Sequence, residues 1–487
     1  MKNRFTFILG LLILFVYIGM VIFHQLKPLP NGLSYAGDFH PLADGEIEFI
    51  YDLTYQLDGE EHYEHHIYEN IVEVIEEAEH FLIIDMFMFN EMSDEERDFP
   101  PTSAHLSETI EKQMEAQPDL KVTIITDHIN TTYRSHEAQH IAPLEELGAE
   151  VIYTDLTKLR DPTPLYSGAW RMFFQWFGQE GTGRLPNPFG ENSPDVTFRS
   201  YLKLANVKAN HRKAVISENA GLYMSWNAHD ASSLHSDIAV RAEGMIIKDM
   251  VEAEKAVAAF SGSDLSSFPT EAELTELLSA REEAPSSGES SIEAQVVTER
   301  QIEYAFIDGL EEAEAGDMVW IGMFYLSDRD IIEAINNAAS RGVEFRLILD
   351  PNKNAFGQEK IGLPNIPVAE ELLMREDDNI EIRWYNTNEE QYHTKMAYII
   401  RNNESQVIAG STNFTTRNLN NYNPENNLNI IADPDTEFIQ SIDSYFHRLW
   451  ENEDADFTVP YEEYADSLST ARYVLYVLQK IFRVTTY

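Results

Sequence analysis

The chain has 487 residues, of which 83 are Asp or Glu and 35 are Lys or Arg, so its formal net charge is −48 at pH 7. Binding along a nucleic acid depends on Lys and Arg displacing phosphate counterions, so this charge argues against extended duplex recognition. With 43% hydrophobic residues the chain can bury a core, and its lack of cysteine excludes disulfides, zinc–thiolate sites and thiol nucleophiles.

An uncharged apolar stretch, FTFILGLLILFVYIGMVIF, occupies residues 5–23 and follows Lys2 and Arg4. At ~1.5 Å per residue it is about 28 Å long, close to the hydrocarbon thickness of a bilayer. The alternative is a cleaved signal peptide, but the sequence after the stretch, HQLKPLP, lacks a small-residue cleavage site. Residues 1–27 are therefore predicted to be a single-pass anchor in the cell membrane. The positive-inside rule predicts a cytoplasmic N-terminus and places the rest of the chain outside the cell.

Short apolar runs and amphipathic helical patterns alternate twice along the chain, in residues 44–260 and again in residues 298–451. The predicted helices are 67–80, 104–114 and 143–147, then 304–313, 331–339 and 368–374; the predicted strands are 81–89, 122–126 and 151–153, then 318–326, 343–349 and 380–385. This alternation is typical of βαβ units and predicts an α/β fold with a mostly parallel sheet in each half. Two matching copies indicate a duplication.

The two copies differ in length. Asp127 and Asp350 end matching strands and lie 223 residues apart, whereas the later His211 and His393 lie 182 apart, so the first copy carries about 41 extra residues (223 − 182). We place this insertion at about 156–200. Residues 262–297 are rich in Ser, Gly and acidic residues and are predicted to be a linker.

Each copy carries the same polar pattern, H-x-K followed by a Ser and an Asn two residues apart and then by an acid. The first set is His211, Lys213, Ser225, Asn227 and Asp237, and the second is His393, Lys395, Ser411, Asn413 and Glu425. A single H-x-K means little in a chain with 15 histidines, but two copies at matching points of a repeat are hard to obtain by chance. Side chains i and i+2 of a strand share a face, so each His and its Lys are expected to point the same way.

Such a pair of sites suits the cleavage of a phosphodiester. One His could attack phosphorus and form a phosphohistidine, while the other protonates the leaving alkoxide. The two Lys and two Asn would hold the nonbridging oxygens, and Asp237 and Glu425 could fix the tautomers of the histidines. No cofactor or metal is required, because the lysines supply the positive charge.

The chain resembles the phospholipase D superfamily, whose motif is H-x-K, four residues, D, about six residues and G-[GS]-x-N, once in each half. The resemblance covers about residues 46–451 and implies two pseudo-repeated αβα sandwich halves with one active site at their seam. It also implies that His211 is the nucleophile and His393 the acid.

The motifs depart from the family pattern at four points. Glu218 replaces the first Asp, Met224 replaces a Gly in a motif one residue short, Ile400 stands in the second Asp position, and three extra residues precede Gly410. Both His, both Lys and both Asn are retained. The motifs alone therefore leave open which His attacks.

Within the superfamily, the run from Asn210 to Lys213 and the anchor look most like bacterial cardiolipin synthases, although those usually carry two N-terminal spans. We therefore predict a membrane-anchored phosphodiesterase or phosphatidyltransferase whose partners are a phospholipid substrate and the membrane surface, with no nucleic acid. The alternatives are a nuclease of the same superfamily and an inactive lipid-binding scaffold.

Two segments could contact lipid. Residues 166–177, YSGAWRMFFQWF, suit a bilayer interface or the wall of an acyl channel, and the alternative is a helix packed on the core. Residues 460–487 end in a basic, mostly apolar helical pattern with Arg472, Lys480 and Arg483. This helix could lie on a membrane surface or dock on the protein.

Two further features of the sequence are weaker indications of function. His62, His65 and His66 could bind a metal ion, although a solvated start of a helix explains them as well. Asp85 lies inside an apolar strand, where a carboxylate needs partners or a proton. Asp85 could support the catalytic His or merely form a local hydrogen bond, and we favour a role in the wall of the site.

Overall fold

The computed structural model describes residues 2–93, 99–178, 181–190, 192–279, 291–355, 358–374, 379–465 and 470–482. The first helix, α1 (Lys2–Leu26), has no buried residue among those described and contains a span from Arg4 to Leu26 with a mean hydropathy of 2.7. Among the described residues it is the one helix long and apolar enough to cross a bilayer. A short strand, β1 (His40–Leu42), follows it.

The first half contains a seven-stranded mixed sheet with the strand order β2-β12-β10-β9-β5-β7-β8. The strands of this half are β2 (Ile47–Tyr51), β3 (Leu53–Leu57), β4 (Glu60–Glu64), β5 (Phe81–Met86), β6 (Phe89–Asn90), β7 (Lys121–Thr126), β8 (Glu150–Tyr153), β9 (Lys213–Ser217), β10 (Gly221–Met224), β11 (Ala228–His229) and β12 (Ile238–Ala242). Of these, β3 pairs with β4 and β6 pairs with β11 outside the seven-stranded sheet. Its helices are α2 (Ile67–Glu76), α3 (Thr102–Ala116), α4 (Ala142–Glu146), α5 (Pro164–Phe173), α6 (Phe198–Leu204) and α7 (Ile246–Ser261), and α8 (Glu271–Ser279) follows.

The second half contains a nine-stranded sheet with the order β1-β13-β21-β20-β19-β14-β15-β18-β22. The strands of this half are β13 (Ile292–Thr298), β14 (Met318–Met323), β15 (Glu344–Leu349), β16 (Asn354–Ala355), β17 (Gln358–Glu359), β18 (Ile380–Tyr385), β19 (Lys395–Ile400), β20 (Ser405–Gly410), β21 (Asn426–Ala432) and β22 (Thr458–Pro460). Of these, β16 and β17 form a separate two-stranded sheet. Its helices are α9 (Arg300–Glu312), α10 (Arg329–Ser340), α11 (Asn365–Leu373), α12 (Thr416–Leu419), α13 (Glu437–Glu451), α14 (Glu462–Ala465) and α15 (Thr470–Phe482).

Local sequence explains these elements. Helix α10 begins at an N-cap, where the carboxylate of Asp328 accepts from the backbone N–H groups of Asp330 and Ile331. Its buried face carries isoleucines at helical spacing. Strand β5 is buried at every position, as expected for a strand covered on both faces. All twelve predicted helices and strands of the two repeats are present, with ends that shift by a few residues.

The prediction of a mostly parallel sheet is wrong. In the two large sheets the parallel pairs are those of the repeated βαβ runs, β5-β7-β8 and β14-β15-β18, and a short parallel pair, β6-β11, lies outside these sheets. The strands that carry the polar motifs, such as β9 and β10, pair antiparallel, because tight turns rather than crossover helices connect them. The pseudo-repeated pair of α/β halves is confirmed.

The two sheets face each other across a shared apolar core that also contains α7 and α13. A second core lies between the outer face of the nine-stranded sheet and α9, α10 and α11, and a third lies between the seven-stranded sheet and α2 and α3. The halves therefore join through their inner faces, and loops at one end of both sheets meet at the seam.

The predicted linker, 262–297, is wrong at its C-terminal end. Its last residues form β13, an internal strand of the second sheet whose apolar positions are buried, and α8 also lies within the predicted range. The alternating sequence IEAQVVT fits a strand, and the polar composition of the residues before it hid that pattern. Likewise, β22 extends the second half beyond residue 451.

Arg212 ties the two halves together at the seam. Its guanidinium is fully buried and lies 3.3 Å from Glu254 of α7 and 2.7 Å from Glu299 of the second half. Removing a buried cation leaves its carboxylate partners uncompensated, which typically costs about 3–5 kcal/mol.

We therefore expect Arg212→Met to lower the free energy of unfolding by about 3–5 kcal/mol, measured by chemical denaturation of the full chain. The control is Arg401→Met, because Arg401 pairs with the exposed Glu312 and Glu404. Surface pairs contribute up to about 1 kcal/mol. Equal losses in the two variants would contradict a role for Arg212 in joining the halves.

Candidate active site

The two motif histidines line one pocket at the seam, together with Asn227 and Asn413. Each His lies just before a strand rather than within it, since β9 begins at Lys213 and β19 at Lys395. The backbone of each His is held by the opposite half. The N–H of His211 donates to the carbonyl oxygen of Pro424 at 3.0 Å, and that of His393 donates to Ser236 at 2.8 Å.

The carboxylates cross between the halves. Nδ1 of His211 lies 2.9 Å from Oε1 of Glu425, which belongs to the second half. Nδ1 of His393 lies 2.8 Å from Oδ1 of Asp237, which belongs to the first. A carboxylate accepts from Nδ1–H and so leaves Nε2 as the unprotonated nitrogen of a neutral imidazole.

The motif serines orient these carboxylates. The hydroxyl of Ser225 donates to Asp237 at 2.5 Å, and that of Ser411 donates to Glu425 at 2.5 Å. The amide of Asn418 donates to the other oxygen of Glu425, whereas Oδ2 of Asp237 has no hydrogen-bond partner among the described residues. The two carboxylates therefore occupy different environments despite their matching positions.

Burial dominates the electrostatics of the site. It lowers the pKa of both His211 and His393 well below the usual range, and the positive charges of the two motif lysines lower it further. Both imidazoles are therefore neutral in the free protein near pH 7. Burial also lowers the pKa of Lys213 to about 8, and it raises that of Glu425 to about 8 against the opposing charge of Lys213.

Each lysine lies beside the histidine of its own motif. Nζ of Lys213 donates to the carbonyl oxygen of His211 at 2.8 Å, and Nζ of Lys395 donates to that of His393 at 2.5 Å. Both side chains are buried, and burial lowers the pKa of Lys395 well below its usual range. A bound phosphodiester anion favours the charged form of each lysine, and a buried positive charge acts more strongly on that anion than it does in water.

Two phenylalanines that the sequence did not predict lie beside the histidine and lysine of each motif. The ring of Phe87 lies 5.3 Å from that of His211 and 5.4 Å from Nζ of Lys213. The ring of Phe324 lies 5.0 Å from that of His393 and 5.5 Å from Nζ of Lys395. The signal was present, because a Met-Phe pair ends the matching apolar runs FLIIDMF and MVWIGMF.

Asp127 and Asp350, which mark the repeat, fix the backbone just ahead of each histidine. Asp127 accepts from the N–H of Asn210 and Asp350 from that of Tyr392, both at 2.8 Å. Asp85 binds the Asn210 amide at 2.8 and 3.0 Å. Asp85 is not among the residues that line the pocket, so it supports the loop of His211 from behind rather than forming the wall.

Glu218 is not brought to the site. It follows the far end of β9, where its carboxylate accepts from the backbone N–H groups of Glu79, His80 and Phe81. Its role is to hold the turn between α2 and β5. Ile400 ends the matching strand β19, so the missing acid in the second motif removes nothing from the pocket.

The pocket has a volume of about 370 Å³, and its walls are mostly apolar. They include Phe87, Met88, Phe324 and Tyr325; the insertion adds Pro188 and Phe189, and the segment just after it adds Leu204 and Val207. A volume near the lower end of the ~300–1,000 Å³ typical of ligand sites holds a phosphodiester and its immediate substituents, but not two long acyl chains.

The histidines near the first hairpin do not form a metal site. His62 stacks on Tyr55, His65 lies 3.3 Å from the hydroxyl of Thr54, and His66 is the N-cap of α2. In the part of the chain that the structure describes, the cluster with metal-ligand spacing is Glu303, Asp328 and Asp330, on the outer helices of the second half.

Comparisons with known proteins support the fold. Residues 307–450 match the family model described as "Cardiolipin synthase, PLD-like domain". No curated protein sequence matches the chain.

Solved structures are similar at low sequence identity. Phosphatidylserine synthase of Haemophilus influenzae Rd KW20 has a TM-score of 0.57 and 11% identity, over 93% of this chain and 96% of that one. Polyphosphate kinase of Porphyromonas gingivalis has a TM-score of 0.41 and 12% identity, over 90% and 53% of the two chains. NucT of Helicobacter pylori has a TM-score of 0.27 and 21% identity, over 35% and 99%. Residues 307–450 thus resemble a phospholipase D-like domain, which confirms the predicted resemblance to the phospholipase D superfamily over that part of the chain, and the solved structure of similar length supports the fold of the whole.

Proposed function

We propose that the chain is a membrane-anchored enzyme that cleaves the phosphodiester of a phospholipid and passes the phosphatidyl group to water or an alcohol, as a cardiolipin synthase does with a lipid alcohol. The observation that carries this proposal is the pair of histidines in one pocket, each bound at Nδ1 by a carboxylate of the other half.

In the first step Nε2 of His211 attacks phosphorus, forming a P–N bond while the P–O bond to the head group breaks. His393 gives a proton to the departing alkoxide. An anionic phosphodiester offsets the lysine charges that lower the pKa of His393, and so it favours the imidazolium next to Asp237.

In the second step His393, now neutral, takes the proton of water or an alcohol, whose oxygen attacks phosphorus and releases His211. Lys213, Lys395, Asn227 and Asn413 would stabilise the nonbridging oxygens in both steps. Two positive charges buried at the site suit the negative charge that gathers on those oxygens.

Three features favour a lipid substrate. The pocket walls are apolar, α1 can anchor the chain in a membrane, and the net charge of −48 disfavours a nucleic acid. The description of the matching family model favours transfer to a lipid alcohol over hydrolysis. We place the catalytic halves on the outer side of the membrane, because Lys2 and Arg4 precede the span.

The test is to incubate the detergent-solubilised full chain with phosphatidylglycerol in EDTA, with and without ethanol, and to identify the lipids by mass spectrometry. We expect cardiolipin from phosphatidylglycerol alone and phosphatidylethanol when ethanol is present, with His211→Ala as the inactive control. Cleavage of single-stranded DNA without any lipid product, lost in His211→Ala, would overturn the proposal. Inactivity towards every phosphodiester would favour the scaffold.

A further inference from the structure

We infer that the insertion forms a second membrane contact, in which an aromatic face made of Phe173, Phe174, Trp176 and Phe177 enters the bilayer beside α1, with the exposed Phe198 on the same insertion. This inference rests on the proposed function only in taking α1 to span a lipid bilayer. Its consequence is that the catalytic pocket is held at the lipid surface in one orientation.

Helix α5 of the insertion packs directly on the span. The hydroxyl of Tyr17 donates to the carbonyl oxygen of Leu165 at 2.6 Å. A Cβ on Gly168 would lie 2.6 Å from Val21 and 3.1 Å from Tyr17, so only glycine allows the helices to approach this closely.

The position of this contact along α1 sets the depth of α5. Tyr17 and Val21 lie nine and five residues before the end of α1 at Leu26. At ~1.5 Å per residue, these contacts are about 13 and 8 Å inside the end of the span. If α1 crosses a bilayer, α5 lies at the depth of the head groups and outer acyl chains.

A buried ionic cluster fixes the insertion to the end of α1. Asp161 pairs with Arg171 at 2.7 Å and with Lys208 at 2.6 Å, and its N–H donates to the carbonyl oxygen of His24. Lys27, just beyond α1, donates to the carbonyl oxygen of Thr157 at 2.8 Å. The insertion and the span therefore move as one unit.

The composition of the aromatic face points to lipid. No acidic residue occurs between Asp161 and Glu180, in a chain with 83 of them, and the one basic residue there, Arg171, is buried in the cluster. Trp176 is 74% exposed, Phe198 65% and Phe177 59%. A neutral aromatic surface next to a span suits the bilayer interface, and the acidic remainder of the protein would be repelled by anionic lipid.

The same insertion forms part of the wall of the catalytic pocket through Pro188 and Phe189, and the segment just after it adds Leu204 and Val207. Because the pocket is too small for two acyl chains, a bound phospholipid must leave its chains outside. A membrane contact next to this wall allows the chains to remain in the bilayer while the phosphodiester reaches His211.

The first test is fluorescence quenching of the full chain in phosphatidylglycerol vesicles, with the signal of Trp176 taken as the difference between the native protein and Trp176→Phe. We expect lipids brominated on their acyl chains to quench Trp176 at least twice as strongly as the other tryptophans, and aqueous iodide to quench it weakly. The matched control is Met374→Trp in the Trp176→Phe background, since Met374 is 71% exposed on the second half. This control should respond to iodide and not to brominated lipid.

Strong quenching of Trp176 by iodide without quenching by brominated lipid would overturn the inference. Protection of Trp176 from both quenchers would also overturn it, because a protein would then cover the aromatic face. Neither readout depends on catalysis, so failure of the proposed function would be seen separately.

The second test is activity. The triple variant Phe173→Ser, Trp176→Ser and Phe177→Ser is expected to lose at least tenfold in turnover of phosphatidylglycerol in vesicles. It should keep its turnover of a short-chain phosphatidylglycerol dissolved as monomers, and Met374→Ser should keep both. An equal loss on both substrates would mean that the aromatic face only supports the fold, and would contradict the inference.

Discussion

Turnover of a phospholipid is expected to fall by at least about 10³-fold in both His211→Ala and His393→Ala, because a nucleophile and a general acid each contribute on that order or more. Steady-state lipid turnover does not tell the two roles apart, since the full reaction needs both. Substantial activity of either variant would overturn the two-histidine mechanism.

A lipid whose head group is p-nitrophenol separates the roles. Its leaving group departs without a proton, so the first step no longer needs the acid. We expect His393→Ala to release a burst of about one p-nitrophenolate per protein and then stall at the phosphohistidine, since no base activates water. His211→Ala should release none. The reverse pattern would show that His393 is the nucleophile, contrary to the proposed roles.

The absence of a burst in both variants would also contradict the mechanism, provided that the proteins are folded. Arg212→Met offers a comparison for folding defects, because it lowers stability without removing a reacting group. A phosphatidyl group on His211 of the stalled His393→Ala protein, labile in acid and detected by mass spectrometry, would identify the intermediate.

The polar residues of the candidate site could be predicted because the same motif occurs in both halves of the sequence. Periodicity along the chain also predicted α2, β5, α10 and β15, since helix and strand patterns are local properties. Which carboxylate binds which histidine could not be predicted in this way. Glu425 binds a histidine 214 residues away and Asp237 one 156 residues away, so either acid could have served either histidine until the halves were packed together.

Other features of the site could not be predicted from the sequence, for similar reasons. Glu218 occupies a motif position, but its distance from the pocket follows from the length of β9, which puts His211 and Glu218 at opposite ends of one strand. Phe87 and Phe324 looked like core residues because their neighbours are core residues. The contact between α5 and α1 joins segments whose sequences share no pattern, and only the fold brings them together.

Replacing either crossed carboxylate is expected to cause the second large loss of lipid turnover. The loss should be larger for Glu425 than for Asp237. Both oxygens of Glu425 accept from donors, one from Ser411 and the other from Asn418. In Glu425→Gln one of those oxygens becomes an NH₂ group that faces a donor, which disturbs the tautomer of His211. In Asp237→Asn the retained oxygen still accepts from Ser225 and His393, and the NH₂ group takes the place of an oxygen without partners among the described residues.

We therefore expect Glu425→Gln to lower lipid turnover by about 10³–10⁴-fold, the effect of a wrong histidine tautomer, and Asp237→Asn by about 10²-fold, from the lost charge alone. On the p-nitrophenol lipid, Glu425→Gln should abolish the burst as His211→Ala does, while Asp237→Asn should keep it. The control is Glu218→Gln, a buried carboxylate that lies outside the pocket at the turn between α2 and β5, which should stay within twofold of the native rate. A burst retained in Glu425→Gln and lost in Asp237→Asn would contradict the crossed assignment, because each carboxylate would then serve the histidine of its own half.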